Sequence, residues 1–289
     1  MPESSNPKQK PTATDPMDRY VLCNCGKPEC WTNDLRPLRH HMKALMQAIS
    51  SCGHENLIDG GHEAWPGALY ALHMAVSIED VFVDPSYVDE SKSGLYCDIA
   101  WDFDEVQREE ASKYVAALTI FNFTWTAYEA AIEHALGPDF SKDKLPVQAR
   151  KFFATSDKKF DDDLITFERS YRGARQICRR IHDIREPIDM IEKKYNLKGA
   201  AAAAELARIF RNHIFHGKDS TPLSGERAMV SHFYAMTRLL LMLVQLLLLH
   251  HVRNAQLNIP LSFIFEHKGE LPARHVLLNL HRPEPRWAA

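Results

Sequence analysis

Apolar residues recur at helical spacing over most of this chain, and the breaks in that period mark its boundaries. Asp102 to Glu105 offer acidic N-cap chemistry for a long helix reaching Leu136, where Gly137-Pro138 stops it. Pro146 to Phe153 predict a short helix and Asp161 to about Asp183 a longer one, with a kink at Pro187 before Ile188 to Tyr195. Ala200 to Phe215 form an Ala- and Leu-rich helix with Gly217 as its natural C-terminal cap, and Glu226 to Asn254 form the last long one. Long helices with short connectors predict an antiparallel bundle over residues 103–255.

Residues 17–102 are mixed. A Cys-rich knot (Cys23 to Cys30) precedes a helix from Leu35 to Ser50 and a Gly-, His- and Pro-rich loop from Gly53 to Gly67. Two β-leaning pieces follow, Val81 to Val83 and Leu95 to Trp101. Residues 1–16 are polar and Pro-rich without an apolar run, which predicts a disordered arm rather than a signal peptide. Residues 256–289 carry Phe263-Ile264-Phe265 and Val276-Leu277-Leu278 and are expected to pack back on the body. The predicted fold class is mainly α: a helical bundle with a smaller mixed, Cys-containing N-terminal region.

The candidate chemistry sits at the end of the Ala-rich helix, in Arg211-Asn212-His213-Ile214-Phe215-His216, followed by Gly217 and Lys218. An Arg and a His separated by four residues are what metal-free RNA cleavage needs. A guanidinium can neutralise a phosphate whose charge grows in the transition state, and an imidazole can move a proton near neutral pH. At helical spacing Glu205, Arg208, Asn212 and His216 share one stripe, while Leu206, Ile209, Phe210 and His213 share a more apolar one. Arg211 and His216 stand about 140° apart on an ideal helix. They cannot face one phosphate from one rigid helix unless the last turn loosens or the Arg side chain wraps round. The bland alternative is that His216 is only a cap favoured by the helix dipole and Arg211 only a solvated charge.

This stretch, with the preceding long helix that includes Phe121-Asn122-Phe123-Thr124-Trp125-Thr126-Ala127-Tyr128-Glu129, resembles the HEPN superfamily. Those are all-α domains, many of them ribonucleases of toxin and phage-defence systems, marked by an Arg, four to six residues, then a His. The Asn after the Arg and the Gly after the His are also similar to that family. The resemblance covers roughly residues 103–255. It implies catalytic Arg211 and His216, with Asn212 as an orienting donor one turn before the His. It also implies a homodimer in which two motifs share a cleft, with no cofactor for catalysis. The 2′-hydroxyl would attack the adjacent phosphate and leave a cyclic phosphate and a 5′-hydroxyl.

Composition narrows the picture only in part. The 289 residues are 45% apolar and 25% charged, which fits a soluble globular protein. A net charge of −3 gives no global attraction to nucleic acid, so RNA contact must be local. Candidates for it are Arg208, Lys218 and the helical face of Arg172, Arg175 and Arg179, although interspersed acids equally suit a salt-bridged face. Glu129 and Glu133 could line the cleft or form an exposed polar face. The apolar run from Leu239 to Leu249 is too short to cross a bilayer and reads as a core helix, so no membrane partner and a cytoplasmic location are expected. The six cysteines should be reduced thiols; Cys23, Cys25, Cys30 and Cys52 could hold a structural zinc. Three readings stay open: a dimeric ribonuclease acting on RNA, held by an antitoxin or regulatory partner; a non-catalytic nucleotide- or protein-binding module; and a zinc-stabilised regulatory protein working through its N-terminal segment.

Overall fold

The computed structural model describes residues 15–79, 81–84, 97–136, 142–155, 166–217, 227–252, 258–260 and 270–283. The fold is mainly α, a helical bundle with a Cys cluster in its N-terminal region. The helices are α1 (Leu38–His54), α2 (Pro66–Ser77), α3 (Asp98–Leu136), α4 (Leu145–Thr155), α5 (Phe167–Cys178), α6 (His182–Lys193), α7 (Gly199–Phe215), α8 (Arg227–His251) and α9 (Ala273–Asn279). Strands β1 (Asn258–Pro260) and β2 (Glu270–Pro272) pair antiparallel, with Ile259 opposite Leu271. The expected N-terminal arm and Phe263-Ile264-Phe265 fall almost wholly outside the described residues.

Helix α8 forms the centre. Leu239 to Leu249 is apolar all round but for Gln245, and a helix of that kind must be surrounded. It packs against α3, α5, α7, α1 and α9. By length and composition Met229–His251 could cross a membrane, yet nearly all of its most apolar stretch lies inside the protein. Helix α3 buries Tyr114, Ala117, Phe121 and Tyr128, spaced by three, four and seven residues as a one-sided helical face requires, and Tyr114 and Phe121 meet Phe233 of α8. Phe121, Phe210 and Phe233 lock α3, α7 and α8 together, with ring centroids 5.3 to 5.8 Å apart. Val276 and Leu277 of α9 are buried, and α9 packs on α8.

The N-terminal region is not a separate body. A single core runs from Met17 through α1 and α2 into the bundle and on to Leu280. Two local expectations fail for related reasons. Val81 to Val83 forms no strand, and Asp98 to Trp101 opens α3 instead of extending as β. Short β-leaning segments need a neighbour to bond, while an acidic residue in a helix's first turn is favoured by the dipole. The helix expected from Asp161 to Asp183 ends at Cys178, because Ile181 is extended and turned into the core. Pro187 then lies within α6 rather than before a helix.

Helix α1 begins after Pro37, which has no side-chain oxygen to cap it. The buried Asp18 carboxylate accepts from the Leu38 N–H at 3.0 Å and caps the helix from twenty residues away. Burial raises the Asp18 carboxyl, against the Leu38 hydrogen bond and the Arg238 charge. We therefore expect Asp18→Ala to cost about 1–2 kcal/mol in denaturant unfolding, and Asp18→Asn, which keeps an acceptor oxygen, less than half of that.

A buried polar chain crosses the same region. Arg238 Nη2 donates to the Arg36 carbonyl at 2.8 Å, and Nη1 lies 3.3 Å from His41 Nδ1. His41 Nε2 lies 3.0 Å from Gln245 Oε1, and Gln245 Nε2 donates to the Leu277 carbonyl at 2.6 Å. Because Arg238 can only donate, His41 Nδ1 must accept, and the network assigns His41 the neutral tautomer protonated at Nε2. Burial holds His41 well below the usual imidazole range, reinforced by the Arg238 charge.

Candidate functional site

Helix α7 is placed by its alanines. Ala200 to Ala204 are all buried, and side chains this small let α7 approach its neighbours closely. The first polar residue, Glu205, is only 1% exposed. It is held by Arg208, whose Nε and Nη2 reach its two oxygens at 3.0 and 2.6 Å, and by Arg150 of α4 at 3.1 Å. Burial alone would raise the Glu205 carboxyl, but Arg208 and Arg150 hold it below its usual value. Arg208, a sequence candidate for RNA contact, is thus engaged in an ion pair that clamps α7 to α4.

One turn later α7 changes character. Arg211 is half-buried, with its guanidinium over the Phe215 ring at 4.2 Å and toward the Trp125 ring of α3 at 5.7 Å. Two aromatic rings flank the guanidinium, a contact that favours the cation and competes for none of its hydrogen-bond donors. Among the described residues, no carboxylate forms an ion pair with Arg211, and its Nε is buried without a hydrogen-bond partner. Glu129, one turn beyond Trp125 on α3, is half-buried and close enough to feel the Arg211 charge. Burial raises the Glu129 carboxyl, and the Trp125 indole N–H and Arg211 oppose that rise. Glu133 is exposed.

His216 ends the helix. Its backbone N–H donates to the Asn212 carbonyl at 3.0 Å, and Gly217 follows in the left-handed conformation at φ +69°. The helix closes as the sequence predicts, and only glycine takes that φ without strain. The last turn therefore does not loosen. His216 is exposed, and no hydrogen bond or ring contact joins it to Arg211. Asn212 is half-buried beside them, while His213 is 5% exposed on the apolar side, packed as expected. Lys218 lies outside the described residues.

The basic face of α5 is a salt-bridged one. Arg172 pairs with Glu168 at 2.6 Å, Arg179 with Asp189 at 2.7 Å, and Arg175 lies 3.6 and 3.5 Å from Asp189 and Glu192. These pairs join α5 to α6 or stay within α5. Sequence reasoning did not single out Trp125 and Phe215 as partners of Arg211. The available signal was the four-residue spacing of Arg211 to Phe215 and of Trp125 to Glu129, which sets each pair on one helical face.

In the N-terminal region, the sulfurs of Cys23, Cys25 and Cys30 lie within 4.8 Å of one another, a group that could bind a metal. Hydrogen bonding from Thr32 lowers the Cys30 thiol to about 7. Cys52, expected among the ligands, is fully buried in α1, where burial pushes its thiol up to about 12. The helical period of α1 turns Cys52 into the core with Leu45, Ala48 and Ile49, away from the surface cluster. Comparison with family models, curated proteins and solved structures finds no match to this chain.

Proposed function

We propose that this chain is a metal-independent endoribonuclease of the HEPN type, active as a homodimer in the cytoplasm and serving RNA damage in a toxin or phage-defence setting. One observation carries the reading. Arg211 is flanked by two aromatic rings at a helix end and, among the described residues, is spared the ion pairs that occupy Arg208, Arg150, Arg172 and Arg179. A guanidinium that no carboxylate ion-pairs, with Glu129 near but outside ion-pair distance, is available to an anion. His216, exposed one turn on, supplies a group that can move a proton.

In this reading the 2′-hydroxyl attacks the adjacent phosphate, the imidazole manages a proton on the nucleophile or leaving oxygen, Arg211 stabilises the pentacovalent phosphate, and Asn212 orients the substrate. The helix stays intact between the two residues, so each reaction centre takes its Arg from one chain and its His from the other. An antitoxin or regulatory partner would cover that cleft, and zinc at the N-terminal cysteines would be structural.

Mixing an Arg211→Ala chain with a His216→Ala chain tests this, because a mixed dimer rebuilds one composite site. Partial recovery of RNA cleavage, resistance of DNA of the same sequence and insensitivity to brief EDTA treatment are expected. A monomer that cleaves at full rate defeats the composite site. A dimer that binds RNA or nucleotide and never cleaves favours the non-catalytic binding module instead.

A further inference from the structure

The three clustered cysteines lie in a loop shaped around them. Gly26, at φ +67°, turns the chain directly after Cys25, a conformation that glycine adopts without strain. The Cys30 N–H closes the turn on the Lys27 carbonyl at 3.1 Å, and the Cys23 N–H donates to Thr32 Oγ1 at 3.1 Å, drawing the two ends of the loop together. The three sulfurs lie within 4.8 Å of one another. Thiolates bound to zinc at about 2.3 Å stand about 3.8 Å apart, so small side-chain rotations close the group on an ion. Cys23 and Cys25 are exposed and Cys30 is half-buried, which leaves an entry path. Among the described residues no fourth Cys, His, Asp or Glu joins them.

We propose that Cys23, Cys25 and Cys30 bind one soft divalent cation, zinc by preference, as three thiolates, and present its fourth coordination position to an external thiol or imidazole. On binding, each thiol releases a proton to solvent. Three thiolates and a divalent ion leave one net negative charge, which suits a neutral nitrogen ligand or an exchanging thiol. Closed structural zinc sites take four protein ligands, whereas three leave an exchangeable position. The ion would also join Tyr20 and Val21 to Trp31 and Leu35, which line a cavity of about 100 Å³ against Ala174 of α5 and Arg238 of α8. This inference extends the zinc part of the proposed function and stands apart from its nuclease part.

The test is titration of the reduced, metal-free full chain with Co²⁺, followed by Zn²⁺ competition. One equivalent of Co²⁺ should give a thiolate charge-transfer band that one equivalent of Zn²⁺ removes. Cys23→Ser, Cys25→Ser and Cys30→Ser should each weaken binding by more than the roughly tenfold loss that follows removal of an outer-shell partner. Cys52→Ala and Cys97→Ser, the second removing the exposed thiol just before α3, should leave it unchanged. Added imidazole should shift the visible cobalt spectrum. Absence of saturable binding, dependence on Cys52, or a disulfide within the trio in place of a metal overturns the site. A cobalt spectrum indifferent to imidazole overturns the open position. Binding that leaves the melting temperature unchanged supports the site and removes the structural role assigned to zinc, so the two failures are distinguishable.

Discussion

His216→Ala and Arg211→Ala are each expected to lower RNA cleavage by about a hundredfold or more while the protein stays folded. His216 is exposed at the end of α7 and contributes to the fold through its backbone and its place near the helix dipole. Losing its side chain should cost no more than about 1 kcal/mol. Arg211 contributes stacking on Phe215 and Trp125, again worth about 1 kcal/mol. Arg211→Lys should recover little, because an ammonium keeps the charge but lacks the planar fork that contacts a ring face and donates to a phosphate bidentately. Phe215→Ala should leave both groups in place yet loosen Arg211, so it should lose activity less steeply than Arg211→Ala. Circular dichroism melts and cleavage of a single-stranded RNA on the same preparations check all four variants. Full activity in the His216 or Arg211 variant would remove the nuclease assignment, whatever became of the fold.

The largest effect on stability is expected at Arg238. Its guanidinium is buried, donates to the Arg36 carbonyl and faces His41. Burial lowers its pKa to about 10, with Asp18 opposing. Arg238→Ala would leave the Arg36 carbonyl and His41 Nδ1 without this donor and the buried Asp18 without the Arg238 charge. Loss of one partner from a buried charged network costs about 3–5 kcal/mol, readable as a fall in the denaturant midpoint. The same network sets a pH dependence. His41 binds a proton less readily folded than unfolded, since burial, Arg238, His281 and Arg36 disfavour its cation and only Gln245 favours it. The unfolded chain therefore takes up the extra proton below about pH 6.5, and stability contributed by neutral His41 is present above that pH and lost on acidification. The slope for one such group is at most about 1.4 kcal/mol per pH unit. Substituting His41→Gln should flatten the acid limb of the stability profile even where it lowers the whole curve. An acid limb with unchanged slope would show that other groups dominate it.

The helices of the bundle were legible in the chain because their signal is local. The apolar period of α3, the alanine run of α7, the Leu-rich stretch of α8 and the glycine after His216 each act within a few turns. The motif and its geometric difficulty were legible for the same reason, since 100° per residue already separates Arg211 from His216. Helix α2 went unread, and its N-cap Trp65 holds φ +49°, a left-handed conformation that side-chain pattern does not announce. What depended on distant parts of the chain had to wait for tertiary structure. Asp18 caps a helix twenty residues away, His41 meets Gln245 across some two hundred, and Arg211 rests on a tryptophan from α3. Which arginines are neutralised was likewise decided there: Glu205 is an ordinary polar position on a helical stripe until packing buries it and draws in Arg208 and Arg150. Cys52 was counted with the other cysteines on composition, and the rotation of α1 placed it in the core instead. Periodicity and capping act over one or two turns and can be read along a line, whereas the partner of a buried charge is set by which surfaces come together when the helices pack.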